Sequence, residues 1–180
     1  MKRVNGFTLI ELLTTIGIGA ILVTVAVPGM QALTANSKQR NDVNELVSAM
    51  HLARNTAITT NNRVTVCASS NGESCESVEW SKGWIVFTDL NSDQSIDANE
   101  SLIRSGTGSI GIEIKSSQFP AFLMYRPNGR VMNATTATNS GDFSICDDRG
   151  SEHAKVVSIE LSGRPRVAHY LASGSSPSCS

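Results

Sequence analysis

The sequence predicts an α+β fold in which a long N-terminal helix packs on an antiparallel β-sheet or a two-sheet β-sandwich. Three observations carry this: an apolar run from Phe7 to Val27, amphipathic helical spacing from Ser37 to Thr59, and short β-type runs separated by turn residues from Arg63 onward. A chain of 180 residues, 40% hydrophobic and 17% charged, suits one modest domain and excludes a disordered tail or a collagen-like fibre. Fifteen Lys and Arg stand against sixteen Asp and Glu, a formal charge of -1, so any anion site has to be local. The four cysteines are even in number and follow a segment that reads as an export signal, which favours oxidised pairs outside the cytoplasm over a metal site.

The first element begins with a basic head, Met1-Lys2-Arg3, and runs on as Phe7-Thr8-Leu9-Ile10-Glu11-Leu12-Leu13 into residues that stay apolar or small to Val27. As a helix rising about 1.5 Å per residue this stretch covers about 31 Å, enough for a bilayer core of about 30 Å. Lys2 and Arg3 before it set the head in the cytoplasm and the bulk of the chain outside. A cleaved secretory signal fits poorly, because the apolar run is too long and carries a lone carboxylate, Glu11. Burying that charge in a bilayer costs roughly 2.5 kcal/mol or more unless a partner neutralises it.

Gly6-Phe7-Thr8-Leu9-Ile10-Glu11 resembles the type III signal of type IV pilins and type II secretion pseudopilins. The resemblance implies a leader, residues 1–6, removed after Gly6 by the prepilin peptidase, with N-methylation of the new amino terminus on Phe7. It also implies that Glu11 pairs with the terminal amine of a neighbouring subunit when the helix leaves the inner membrane for the filament. An opposite charge is the partner an intramembrane carboxylate needs.

Residues 7–27 are therefore expected to form the transmembrane half of a helix, residues 28–60 its amphipathic half, and residues 61–180 a β-rich globular part. Pro28 and Gly29 should kink or loosen the helix without ending it, since helical spacing resumes afterwards. Val43, Leu46, Val47, Met50, Ala53, Ala57 and Ile58 form the apolar face, and Lys38, Arg40, Asp42, Glu45 and Arg54 the polar one, facing solvent or filament neighbours. The β-type runs are Val64 to Ala68, Trp84 to Thr88, Ile110 to Ile114, Phe122 to Tyr125, Phe143 to Cys146 and Val156 to Leu161. Arg126-Pro127-Asn128-Gly129-Arg130 is the clearest hairpin turn, with Pro set for the first corner and Asn-Gly able to adopt positive φ.

Ala53-Arg54-Asn55-Thr56-Ala57, Gly83-Trp84-Ile85-Val86-Phe87-Thr88-Asp89, and Cys146-Asp147-Asp148-Arg149-Gly150 followed by Gly163-Arg164-Pro165-Arg166-Val167 resemble the FimT/GspH family of minor pilins and pseudopilins. The late Cys and the Gly-Arg-x-Arg element are similar to the FimT branch. That resemblance implies a pilin-like fold and a minor pilin that binds DNA through this element for uptake in natural transformation. The alternative is a GspH-like subunit that primes or assembles a pilus or secretion filament without touching DNA.

The residues support the first reading through segregated charge. Glu73 to Glu100 holds seven acids against one Lys, whereas Leu161 to Ser180 holds Arg164, Arg166 and His169 with no acid. In an extended segment Arg164 and Arg166 project to one side and can bridge neighbouring phosphates without reading bases. Arg126, Arg130, Arg149 and Lys155 would widen the patch, and Tyr170 offers a ring for an unpaired base. Against this stands the ordinary role of a strand arginine, a solvated face or a partner for Asp147 and Asp148.

Cys67 and Cys75 enclose a short loop, and Cys146 with Cys179 would fasten the Gly/Ser-rich tail to the sheet, one of three possible connectivities. The stretch from Asp89 to Glu100 resembles an EF-hand calcium loop, with Asp89, Asn91, Asp93, Asp97 and Glu100 as oxygen ligands. Gln94 stands where Gly is expected, and an acidic hairpin loop is the favoured reading. His51, His153 and His169 are scattered, no catalytic spacing of Ser, His and acid occurs, and neither an enzyme nor a required cofactor is expected. Trp80 and Trp84 are assigned to packing.

Overall fold

The computed structural model describes residues 7–133 and 138–179; the leader, including Gly6, lies outside them. Helix α1 runs from Leu9 to Thr60 and passes through Pro28 without a break. Thr8 starts it, its Oγ1 accepting the Glu11 N–H at 3.3 Å, the capping position that satisfies an orphan donor of the first turn.

The segment up to Ser37 forms a unit of its own. Leu9, Ile10, Leu12, Leu13, Ile16, Ile18, Ile21 and Leu22 are all exposed along it, and α1 is long and apolar enough to cross a membrane. The hydroxyls of Thr14, Thr15 and Thr24 donate to the carbonyls of Glu11, Leu12 and Ile21 at 3.0, 2.9 and 2.8 Å. Polar side chains in an apolar helix thus find partners without water.

The second unit, Lys38–Ser180, holds the rest of α1 and two antiparallel sheets. Strands β1 (Val64–Ala68), β2 (Gly83–Thr88), β3 (Leu102–Thr107), β5 (Phe122–Tyr125) and β6 (Val131–Met132) form one sheet in the order β3-β2-β1-β5-β6. Strands β4 (Ile112–Lys115), β7 (Gly141–Asp147), β8 (Lys155–Ile159) and β9 (Pro165–Ala168) form the other in the order β4-β7-β8-β9.

Val43, Leu46, Ala49, Met50, Ala53 and Ala57 supply the helical side of the core, at helical spacing, and meet the inward residues of both sheets. Alternation along β1 sends Val64, Val66 and Ala68 to this core, while Cys67 joins Ile85 and Phe87 on the other face of the first sheet. Ile96 of the acidic loop and Cys75 cover that outer cluster, so β1 is buried on both faces. Trp80 donates its indole N–H to the Phe119 carbonyl at 2.8 Å and meets Phe143 edge-on at 5.2 Å. Gln39 pins the helix to the second sheet, its amide donating to the carbonyls of Ile145 and His153 at 3.1 and 3.0 Å.

Several sequence boundaries shift. β3 and β6 lie where no apolar run stood, and β4 begins at Ile112, leaving Ile110 94% exposed at a turn. β3 is an edge strand exposed or half-exposed along its length, so its sequence needs no apolar alternation.

Candidate functional site

Two turns of the same construction meet at one end of the sheets. In the β5–β6 turn the Gly129 N–H donates to the Arg126 carbonyl at 2.8 Å and the Arg126 N–H to the Arg130 carbonyl at 2.9 Å. The β8–β9 turn repeats this one for one: Gly163 N–H to the Glu160 carbonyl at 2.8 Å, Glu160 N–H to the Arg164 carbonyl at 3.2 Å. Each glycine has φ +75°. In each turn the residue before the glycine turns its side chain back, Asn128 Oδ1 accepting from the Arg130 N–H at 3.0 Å and Ser162 Oγ from the Arg164 N–H at 3.4 Å. This is the three-residue hairpin loop closed by a left-handed residue, which glycine adopts without steric cost. Asn128, expected to share the positive φ, does not need it in this turn type.

The turns stack. A Cβ on Gly163 would strike the Gly129 carbonyl oxygen and lie 3.2 Å from the Arg130 Cα, so only a glycine permits the approach. Gly129 in turn faces the helix, where a Cβ would come within 2.9 Å of Ile58 Cδ1 and 3.1 Å of Arg54 Nη2. Arg54 joins both turns, donating from Nε to the Gly129 carbonyl at 3.2 Å and from Nη2 to the Ser162 carbonyl at 3.3 Å. Helical spacing had placed Arg54 on a face open to solvent or to filament neighbours; it is half-buried and spent on these carbonyls. Buried Ala53 and Ala57 flank it, and such small side chains leave room for the turns to approach the helix.

The arginines singled out from the sequence divide into two groups. Arg130 and Arg164 are exposed and follow the two stacked glycines directly. Arg126 opens the first turn half-buried, its Nε enclosed without a hydrogen-bond partner. Arg166 lies on edge strand β9 opposite Ser158, and its Nε pairs with Glu160 Oε1 at 3.0 Å, both side chains well exposed. The two turns contain a single acid, Glu160.

Arg149 and Lys155 do not join this group. They lie at the far end of β8, about 13 Å of extended strand away from the β8–β9 turn. Arg149 donates from Nε and Nη2 to Asp147 Oδ2 at 3.0 and 2.5 Å, and those hydrogen bonds hold the Asp147 carboxyl below the usual range. Arg149 thus makes a structural pair with a neighbouring aspartate in the turn after β7. Tyr170 is exposed beyond the end of β9.

Cys67 is bonded to Cys75 and Cys146 to Cys179, with Cα separations of 5.5 and 5.8 Å. The tail before Cys179 crosses the second sheet, where Asp142 accepts the Ala172 N–H at 2.8 Å and the Ser158 hydroxyl. Arg164 is held besides by the strand pairing of β8 with β9 and by the glycine stack.

The residues that resemble an EF-hand loop form a hydrogen-bonded loop between β2 and β3. Asp89 is fully buried and accepts from the Thr65 hydroxyl at 2.7 Å and the Asp93 and Gln94 N–H groups at 3.1 and 3.3 Å. Glu100 accepts from the N–H groups of Leu90 and Asp97 at 2.6 and 3.0 Å, and Asn91 donates to Asp93 and Asp97 at 2.9 Å each. Among the described residues no group of three or more His, Cys, Asp or Glu is arranged to hold a metal ion.

No curated protein is significantly similar to the chain in sequence. In structure it resembles the type IV minor pilin FimU of Pseudomonas aeruginosa, with a TM-score of 0.62 at 22% identity over 82% of this chain and 99% of that one. The minor pseudopilin EpsH from the type 2 secretion system of Vibrio cholerae matches with a TM-score of 0.50 at 12% identity, over 73% of this chain and 96% of that one. Both likenesses establish the pilin-like fold, a long N-terminal helix on antiparallel sheets. Residues 1–27 match the prokaryotic N-terminal methylation motif, and residues 42–163 match the family described as type II transport protein GspH. That second match spans most of the chain, and the chain belongs to the GspH family.

Proposed function

We propose that this protein is a minor pilin of a type IV pilus that captures extracellular DNA for uptake in natural transformation. The observation that carries the reading is the stacking of the two turns, which sets the backbone of exposed Arg130 against the turn that carries exposed Arg164, with Arg126 opening the first turn and Arg166 two residues beyond Arg164. Guanidinium groups so placed can bridge phosphates of a nucleic-acid backbone without reading base edges. Few contacts mean weak, salt-sensitive binding, with a log-log slope of about -3 for duplex DNA, and repetition along a filament adds avidity.

The N-terminal segment supports a filament subunit. Cleavage after Gly6 by the prepilin peptidase and methylation of Phe7 would leave an inner-membrane helix with the globular unit in the periplasm. Glu11, exposed in the apolar stretch, would then pair with a neighbour's terminal amine and carry the subunit into the pilus at the cell surface. A second reading, with the family's description as a type II transport protein in its support, is a pilus or type II secretion subunit that primes the filament without touching DNA.

Electrophoretic mobility shift of labelled duplex by the full-length protein in detergent, at low and high salt, separates the two. The DNA reading expects a shift at low salt that fades at high salt and weakens in Arg164→Ala and Arg130→Ala. Absence of a shift at low salt leaves the filament-only reading.

A further inference from the structure

We infer that Arg54 is a positioning residue for the DNA site: it locks the two turns together so that Arg130 and Arg164 present their guanidiniums as one unit. This rests on the DNA reading and goes beyond it, because Arg54 lies on α1, far in sequence from both turns, and touches no nucleic acid itself. The geometry is specific. One guanidinium spans two carbonyls on different sheets, Gly129 and Ser162, each the residue just before or two before an exposed arginine. The planar fork of arginine offers Nε and Nη2 to the two acceptors at a fixed separation and in a fixed plane, which the point-like, freely rotating ammonium of lysine does not.

Gly129 is caught between Arg54 and Gly163, so the order from the helix outward is Arg54, first turn, second turn. Without Arg54 the β5–β6 turn retains its own hydrogen bonds and the β8–β9 turn its own. What is lost is the hydrogen-bonded tie between them, which leaves the glycine contact alone to set the spacing of the two arginines. A ligand would then have to order that spacing on binding, a cost that preorganisation removes.

The test compares full-length wild type, Arg54→Met, Arg54→Lys and Arg164→Ala in detergent, by two readouts. With selective 15N-glycine labelling and no DNA present, Arg54→Met is expected to move the Gly129 and Gly163 amide signals together, leaving Gly150 at the far end of β8 unmoved. Movement of Gly129 alone, or of neither, overturns the lock. By fluorescence anisotropy on a labelled duplex across a salt series, Arg54→Met should weaken binding about three- to tenfold, the scale of ordering an immobilised group or two. Its salt slope should equal that of wild type, whereas Arg164→Ala loses a phosphate contact and about 0.9 of slope. Arg54→Lys keeps the charge and donors but not the rigid fork and should fall between Met and wild type; it also carries the test if Arg54→Met does not fold.

A slope reduced in Arg54→Met as in Arg164→Ala makes Arg54 a direct contact and refutes the positioning role. Wild-type affinity in Arg54→Met beside a weakened Arg164→Ala refutes this inference alone. A wild type that does not bind DNA refutes the DNA reading, and Arg54's part in it falls too.

Discussion

Arg149 closes on Asp147 through two donors, Nε and Nη2, on a carboxylate whose side chain is only 3% exposed. The pair sits in the turn after β7, and Arg149 also gives its backbone N–H to Asp147 Oδ1 at 3.0 Å. Its guanidinium is thereby committed to the fold. Arg149→Ala is expected to destabilise the protein by about 1 kcal/mol, the lower part of the range because Arg149 keeps some contact with water, and, on the proposed DNA reading, to leave duplex affinity nearly unchanged. The loss has a pH signature. Asp147 is held below its ordinary value, so the pair's stabilisation is present above the unfolded carboxylate pKa of about 3.9 and is lost as pH falls through the lower folded value. Thermal unfolding of wild type and variant should therefore converge in acid; a constant gap from neutral pH into acid would contradict this.

Asp42 behaves in the opposite sense. On α1 it is 8% exposed, accepts the Ser109 hydroxyl at 2.6 Å on Oδ1, and has no hydrogen-bond partner on Oδ2. Burial raises its carboxyl above the ordinary range; the Ser109 bond and Lys38 pull it down, and Glu45 pushes it up. A folded value above the unfolded one means that the ionised group costs stability at neutral pH. That cost is relieved as pH falls through the raised folded value and is gone below the unfolded one. Asp42→Asn should unfold at a higher temperature than wild type at neutral pH, with the difference closing in acid. Parallel melting curves across that range would show that burial does not govern this carboxyl.

Gly163 and Gly150 offer a controlled comparison of backbone freedom and close approach. Both have positive φ, +75° and +84°, but a Cβ on Gly150 meets open space whereas one on Gly163 meets the Gly129 carbonyl. Gly150→Ala should cost about 1–2 kcal/mol, the left-handed penalty alone. Gly163→Ala adds a backbone clash and should cost about 3 kcal/mol or more, measured by chemical unfolding. Equal losses would mean that the two turns do not rest on each other.

The parts of this fold legible from sequence are those whose pattern is local. Val64–Ala68 and Phe122–Tyr125 stand as strands with the bounds read from their apolar runs, because both are central in the first sheet and buried. β3, with Arg104, Ser105 and Gly106 at its centre, carries no such signal, since an edge strand is defined by the neighbour it pairs with. The same limit governs the site. Gly-Arg at 129–130 and at 163–164 are visible as pieces, but nothing in the chain between them says that they stack. Arg54 looks like one more solvated cation on a helical wheel. Its role appears only when turns 75 and 108 residues away in sequence arrive at its guanidinium.

Glu160 is the one acid within the stacked turns, and on the proposed DNA reading its removal should strengthen binding there. It pairs with Arg166 at 3.0 Å, yet with the side chains 65% and 49% exposed such a pair contributes about 0–1 kcal/mol to stability. Glu160→Gln therefore leaves the fold nearly as stable, and the turn is unaffected because Glu160 closes it through backbone N–H and carbonyl groups. What changes is the field. Arg166 is released from its counter-ion, and a negative charge that repels phosphate leaves the neighbourhood of Arg130 and Arg164. Binding to duplex should tighten about two- to tenfold at low salt, with the salt slope steepened by up to about 0.9 as Arg166 takes a phosphate of its own. Above about 0.5 M salt, where charges more than a few ångströms apart are screened, variant and wild type should bind alike. Weaker binding by Glu160→Gln would mean that the pair orients Arg166 toward DNA rather than withholding it, and anisotropy titrations across the salt series distinguish the two.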